Sequence, residues 1–203
     1  MRIVLIDYGM GNLRSLIGAL QHLGYDDVVV SNDKKIIETA DRLILPGVGN
    51  FGAAIVNIKS LQLDLILKES ASERKTPMLG ICLGMQLLGM SSTETGYHQG
   101  LGHFNGSVEI FDTTDLAVPH VGFNQVEHAA DMRLFRDISS NSDFYFTHSY
   151  KMRSVENNLL SWTDYGGHFI CGFERDNVAG VQFHPELSQI NGLKLIKNFI
   201  ELF

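Results

Sequence analysis

The run Pro77-Met78-Leu79-Gly80-Ile81-Cys82-Leu83-Gly84-Met85-Gln86 constrains this chain more tightly than any other stretch. A short apolar segment leads into Cys82, and a glycine stands two residues away on either side. The pattern is a strand, a sharp turn presenting a nucleophile, and a helix. It follows the logic of the Gly-x-Ser-x-Gly elbow, with sulfur in place of oxygen. Small neighbours let such a turn close without collision, its side chain stands clear of the sheet, and the helix N-terminus beneath it favours a thiolate.

The elbow is one unit of an alternation that fills the first half of the chain. Residues 2–7 read as a strand. Residues 12–23, with Leu13, Leu16, Ile17, Leu20 and Leu23 at helical spacing, read as an amphipathic helix. A strand at Val28–Val30, a short helix over 33–39, a strand at Arg42–Leu45 and a helical region over 51–71 then lead to the strand entering Cys82. Alternation of this kind implies an open, mostly parallel twisted sheet covered by helices on both faces. Beyond residue 104 the pattern changes to strands joined by turns, at Ser107–Phe111, Asn124–Glu127, Phe144–Thr147, Leu159–Thr163, His168–Glu174 and Val178–Phe183. These read as antiparallel or mixed additions to an α/β fold. A last amphipathic helix over 188–202 closes the chain, and with no linker or internal repeat, residues 1–203 read as a single domain.

Composition narrows the function classes. A net charge of −7 argues against a nucleic-acid or anionic-membrane surface, each of which needs clustered Lys and Arg. The apolar runs at the N-terminus and around Cys82 are too short to span a bilayer or to serve as a secretory signal. Two cysteines make no disulfide framework. Cys171, in a strand-like run, reads as a small buried hydrophobe, and the expected compartment is the reducing cytoplasm.

Phe183-His184-Pro185-Glu186 follows the strand that ends at Gln182. In an open α/β sheet ligands gather outside the carboxyl ends of the strands, so Cys82 and His184 are expected on one rim. With Pro185 holding the chain extended, Glu186 projects to the side of His184 and bonds one imidazole nitrogen, leaving the other for the sulfur. Each residue alone is more often structural; together they make a nucleophile, a base and an orienter. One cysteine with one histidine lacks the ligand spacing of a zinc site, so no metal is expected. Pro46-Gly47-Val48-Gly49 closes another strand end, where backbone N–H groups can meet an oxyanion, and the N–H of Leu83 is the second donor by the same geometry. Gln86, one helical turn past Cys82, is within reach of a polar substrate.

Pro-Gly-Val-Gly at 46–49, Gly-Ile-Cys-Leu-Gly-Met-Gln at 80–86 and His-Pro-Glu at 184–186 resemble the class I (triad) glutamine amidotransferases, whose sheet is flavodoxin-like. Asp7–Ser15, Val118–Asn124 and Phe144–Tyr150 narrow the resemblance to the glutaminase subunits of imidazole glycerol phosphate synthases. The resemblance spans the chain. It implies that Cys82 attacks the side-chain amide of glutamine, with His184 moving the proton and Glu186 orienting it. By motif position Val48 and Leu83 supply the oxyanion N–H groups, and Gly49, Gln86, Ser149 and Tyr150 hold the glutamine. The implied partner is a (β/α)8-barrel cyclase that receives the ammonia, with no organic cofactor or metal involved.

Two positions depart from the family pattern. Phe123 stands where the family usually has Trp, and Leu187 where it usually has Lys. With Asn12 and Tyr145 they mark the expected partner face. The departures admit two readings: repacking within a histidine-pathway enzyme, or a paralogue feeding ammonia to a sugar-nucleotide amidotransferase for surface polysaccharide.

Overall fold

The computed structural model describes residues 1–111, 116–155 and 159–203. Its parallel strands are β1 (Ile3–Ile6), β2 (Val28–Ser31), β3 (Arg42–Leu45), β4 (Met78–Ile81) and β13 (Val178–Val181), lying side by side in the order β2-β1-β3-β4-β13. All four residues of β1, β4 and β13 are buried. That explains why these strands read as continuous apolar runs: a parallel sheet is covered on both faces. Alternate residues face opposite layers. Ile3 and Leu5 join one core with α1 (Leu13–His22) and α6 (Gln189–Leu202), whereas Val4 and Ile6 join the other with α3 (Phe51–Ser60) and α4 (Leu63–Ser72).

The helical region over 51–71 is two helices rather than one. Gln62, at φ 56°, breaks it between α3 and α4. A short helix α2 (Lys34–Ile37) is capped by Asp33, whose carboxylate accepts from the Lys35 N–H at 2.7 Å. Helix α5 (Leu83–Leu87), directly after Cys82, has only five residues.

The second half adds further strands. In chain order they are β5 (Ser91–Ser92), β6 (His98–Gln99), β7 (Gly106–Ile110), β8 (His120–His128), β9 (Ser142–His148), β10 (Tyr150–Ser154), β11 (Leu159–Asp164) and β12 (His168–Arg175). They pair antiparallel, apart from a parallel pairing of β5 with β7. Strand β12 joins β13 antiparallel, and β10 and β7 extend the sheet from there. The β8–β9 hairpin branches off through β11. Two-residue strands such as β5 and β6 are too short to show a period, and β10 follows β9 after Ser149 alone, so no turn signal separates the two. The hairpin returns to the catalytic rim: the His184 N–H donates to the Tyr145 carbonyl at 2.8 Å.

The glycine bracket has a steric basis. A Cβ on Gly80 would lie 2.7 Å from the Gly84 carbonyl atoms, and one on Gly84 would collide with the Leu45 carbonyl oxygen. The elbow is thus clamped between β3 and β4. Gly84→Ala is expected to destabilise the protein by about 3 kcal/mol or more through forced backbone displacement. Urea unfolding measures this, and a loss under about 1 kcal/mol, the range of a tolerated substitution, would show that the turn yields.

Candidate active site

Cys82 sits at φ 53°, ψ −110°, a strained conformation for an L-residue. Its N–H donates to the Val181 carbonyl at 2.8 Å, so the adjacent strand holds the turn. Because β13 runs parallel to β4 with Val181 opposite Ile81, Gln182 lies opposite Cys82 and His184 follows two residues later.

Residues Pro185–Leu187 form a 3-10 turn, not the extended run expected from the sequence. The fixed φ of proline suits the first position of a helical turn as well as it suits an extended chain. The turn still delivers the carboxylate: Glu186 Oε1 lies 2.8 Å from His184 Nδ1, with both side chains buried. His184 Nε2 and Glu186 Oε2 are buried and make no hydrogen bond among the described residues. Burial works against the imidazolium. The proximity of the Cys82 sulfur and the hydrogen-bonded, charged Glu186 outweigh it and raise His184 to about 10. Cys82 is therefore the group facing Nε2.

The oxyanion donors are not both free. The Leu83 N–H donates to the Gly47 carbonyl at 3.4 Å. Val48 is exposed, and Gly49 holds φ 104°, a conformation glycine adopts at no steric cost. The turn that carries them is braced by Tyr8, a buried residue that sequence patterns did not single out. Its hydroxyl donates to the Pro46 carbonyl at 2.7 Å. Burial first, and the charge of Cys82 second, push this phenol well above the usual tyrosine range.

A cavity of about 390 Å³ opens over Cys82, and Val48, Gly49, Gln86, Glu94, Ser149 and Tyr150 are among its walls. Gln86 is buried and donates from Nε2 to the Tyr150 carbonyl at 3.0 Å and to Gln182 Oε1 at 2.9 Å. Its Oε1 makes no hydrogen bond among the described residues. Glu94 was missed at the sequence level, because a lone acid in a polar loop carries no signal. Its carboxylate accepts from the Phe51 N–H at 2.8 Å, in the first turn of α3. His148, another wall residue, donates from Nδ1 to the Tyr150 carbonyl at 2.8 Å. Its Nε2 is 3.2 Å from His120 Nδ1, and Asn124 Nδ2 is 3.3 Å from His120 Nε2. Burial lowers His148 to about 3 and His120 to about 4, so both imidazoles are neutral near pH 7.

Comparison with known proteins bears on this geometry. The family described as glutamine amidotransferase class-I matches residues 4–202. The chain belongs to the class-I glutamine amidotransferases. A relative in Aquifex aeolicus, the imidazole glycerol phosphate synthase subunit HisH, is 46% identical over 200 residues, covering 98% of this chain and 96% of that protein. Imidazole glycerol phosphate synthase subunit HisH 1 of Methanococcus maripaludis is 45% identical over 203 residues, covering 98% and 99%. Among solved structures, a glutamine amidotransferase of Thermotoga maritima shares the fold, with a TM-score of 0.65 at 18% identity, covering 99% of this chain and 81% of that one.

On this amidotransferase Phe123, Tyr145 and Leu187, three of the residues expected at a partner face, lie on or beside the His184 turn. Phe123 is half exposed and packs edge-on against Tyr145 at 5.5 Å, and Leu187 is exposed. Asn12 precedes α1, the helix that packs on the Pro185–Leu187 turn. Cys171 is fully buried beside Ser161, and burial pushes its thiol up to about 12. No group of His, Cys, Asp and Glu among the described residues is arranged to hold a metal.

The raised His184 carries a pH signature. Its folded value lies above the unfolded value of about 6.5, so its stabilisation is complete below about pH 6.5 and is lost as pH rises through about 10. Glu186→Gln removes one of the groups that raise it. In urea titrations the wild-type advantage over this variant is expected to be larger at about pH 6 than at about pH 10.5. An advantage that does not vary with pH would mean that the pair is not charged.

Proposed function

We propose that this chain is the glutaminase subunit of an imidazole glycerol phosphate synthase and passes ammonia to a (β/α)8-barrel cyclase. The chemistry rests chiefly on His184, with Nδ1 held by Glu186 at 2.8 Å and Nε2 buried and unpartnered beside Cys82. The near full-length similarity to HisH subunits favours this reading over a sugar-nucleotide paralogue.

His184 Nε2 takes the Cys82 proton, and the thiolate attacks the amide carbon of glutamine. The tetrahedral intermediate collapses with cleavage of the C–N bond, and the imidazolium protonates the departing nitrogen to give ammonia. His184 then removes a proton from water, which attacks the thioester. Glutamate leaves and the thiol is restored. The α-ammonium of glutamine needs acceptors, and the cavity offers the Glu94 carboxylate and the free Gln86 Oε1, with Gly49, Ser149 and Tyr150 completing the wall.

The oxyanion needs the Leu83 N–H, which the Gly47 carbonyl occupies. Rotation of the Gly47–Val48 peptide releases that donor and brings the Val48 N–H to the same side. The rotating turn is exposed at Val48, and the Phe123, Tyr145 and Leu187 face adjoins the His184 turn. A cyclase seated on this rim is therefore placed to drive the rotation and to shield the ammonia from water. No described helix is long and apolar enough to cross a membrane.

The chain alone is expected to release glutamate slowly, and the cyclase with its nucleotide ligand to accelerate it. Cys82→Ser should end glutamate release while the mixed complex still makes product from added ammonium. Loss of both activities would refute a separate glutaminase site. Glu94→Gln should raise the KM for glutamine about tenfold or more, the loss of one charged hydrogen bond, with a smaller effect on kcat. Steady-state glutamate assays of the complex test this, and an unchanged KM would remove Glu94 from the ammonium site.

A further inference from the structure

Gln182 has no role in the scheme above, yet it is fully buried and its Nε2 lies 3.6 Å from the Cys82 sulfur. We propose that Gln182 is a further catalytic residue, whose side-chain N–H is a fixed donor that holds the Cys82 thiolate ready for attack. The proposal rests on the reading of Cys82 as the nucleophile.

The orientation of the Gln182 amide follows from its neighbours. The Tyr150 carbonyl is an acceptor only, so the Gln86 group beside it must be the NH₂. The second N–H of Gln86 goes to Gln182 at 2.9 Å, so the oxygen of Gln182 faces Gln86 and its NH₂ faces the sulfur. A flipped Gln182 would set two NH₂ groups against each other and its oxygen beside an anion. The Tyr150 carbonyl is itself held by a second donor, His148 Nδ1 at 2.8 Å, and behind His148 stand His120 and Asn124. Buried and half-buried hydrogen bonds therefore run from Asn124 on β8 to Cys82, and each link specifies the next.

The donors that an elbow normally offers are engaged elsewhere. The Leu83 N–H bonds the Gly47 carbonyl and the Cys82 N–H bonds Val181. The helix behind the cysteine has only five residues. The thiol lies 4.0 Å from the Thr147 carbonyl, an acceptor that favours the protonated form. Against that acceptor, Gln182 supplies the hydrogen bond that favours the anion from within the sheet. His184 receives the proton, and Gln182 lowers the energy of the charge that remains on sulfur.

The test is iodoacetamide alkylation of the intact chain across pH, quantified on the Cys82 peptide, alongside glutamate release by the complex with cyclase. Gln182→Met removes the donor at similar volume. It is expected to move the alkylation profile to higher pH and to slow alkylation near pH 7 about tenfold, the effect of one hydrogen bond to a charged group. In the complex kcat should fall by a similar factor, with KM changing less than about twofold. Gln182→Glu, which sets an acceptor beside the sulfur, should shift the profile further in the same direction. A folded Gln182→Met protein with the wild-type profile would overturn the proposal. Should that variant fail to fold, Gln86→Met leaves Gln182 in place but frees its orientation. A smaller shift of the same sign then supports the proposal, and an unchanged profile overturns it. Alkylation needs no glutamine, so the two readings are separable. A wild-type complex that releases no glutamate defeats the glutaminase reading, while shifted alkylation profiles still establish the Gln182 contact.

Discussion

The parallel pairing of β4 with β13 is the constraint on which the site depends. These strands are separated by nearly half the chain, yet their register determines which residues can meet. Val181 stands opposite Ile81, and its carbonyl takes the Cys82 N–H. Shifting that register by one residue would turn Gln182 away from the sulfur, because successive side chains point to opposite faces. It would also carry His184 off the rim. The apolar residues of both strands resist such a slip, since all eight are buried between the two helical layers. The catalytic geometry is thus specified by the hydrophobic pattern of the core, and the loops only complete it.

The elbow holds strain that the surrounding structure must offset. A residue at positive φ costs roughly 1–3 kcal/mol, and Cys82 is kept there by the Val181 hydrogen bond and by close backbone contact through Gly80 and Gly84. The neighbouring turn at Pro46–Gly49 is held differently. Its first residue is anchored by a buried tyrosine hydroxyl, whereas Val48 faces solvent. One side of the site is clamped by close backbone contacts, and the other carries the solvent-exposed Val48.

The sequence carried the parallel half well, because strands buried on both faces show as apolar runs and the glycine bracket names the turn. The cysteine, the histidine and the glutamate were legible for the same reason: each sits at the end of such a run. Other features were not. Glu94 lies in a polar loop with no periodicity, and only the folding of β5 and β6 beside α3 gives it a pocket. Gln182 looks like an ordinary strand residue until the register sets it against Cys82. Tyr8 is indistinguishable from a core aromatic until its hydroxyl is traced to Pro46. The Pro185–Leu187 turn was expected to be extended, because proline's φ is compatible with both conformations and the difference lies in ψ. Contacts between residues far apart in sequence leave no local trace.

His184 and His148 show how neighbours decide chemistry within one small volume. His184 and His148 are both deeply buried, and burial alone pushes an imidazole toward its neutral form. For His148 nothing opposes that push strongly: its partners are a carbonyl and another neutral imidazole, and it falls to about 3. His184 instead meets a carboxylate on one nitrogen and the cysteine sulfur on the other, and it rises to about 10. The proposed base, which accepts a proton from a thiol and later delivers it to a leaving amine, needs a stable charged form, and of the two His184 has one. His148, locked as a donor to Tyr150, is fitted to the opposite task. Its fixed neutral tautomer keeps the Tyr150 carbonyl in place, and that carbonyl determines which way the Gln86 and Gln182 amides face.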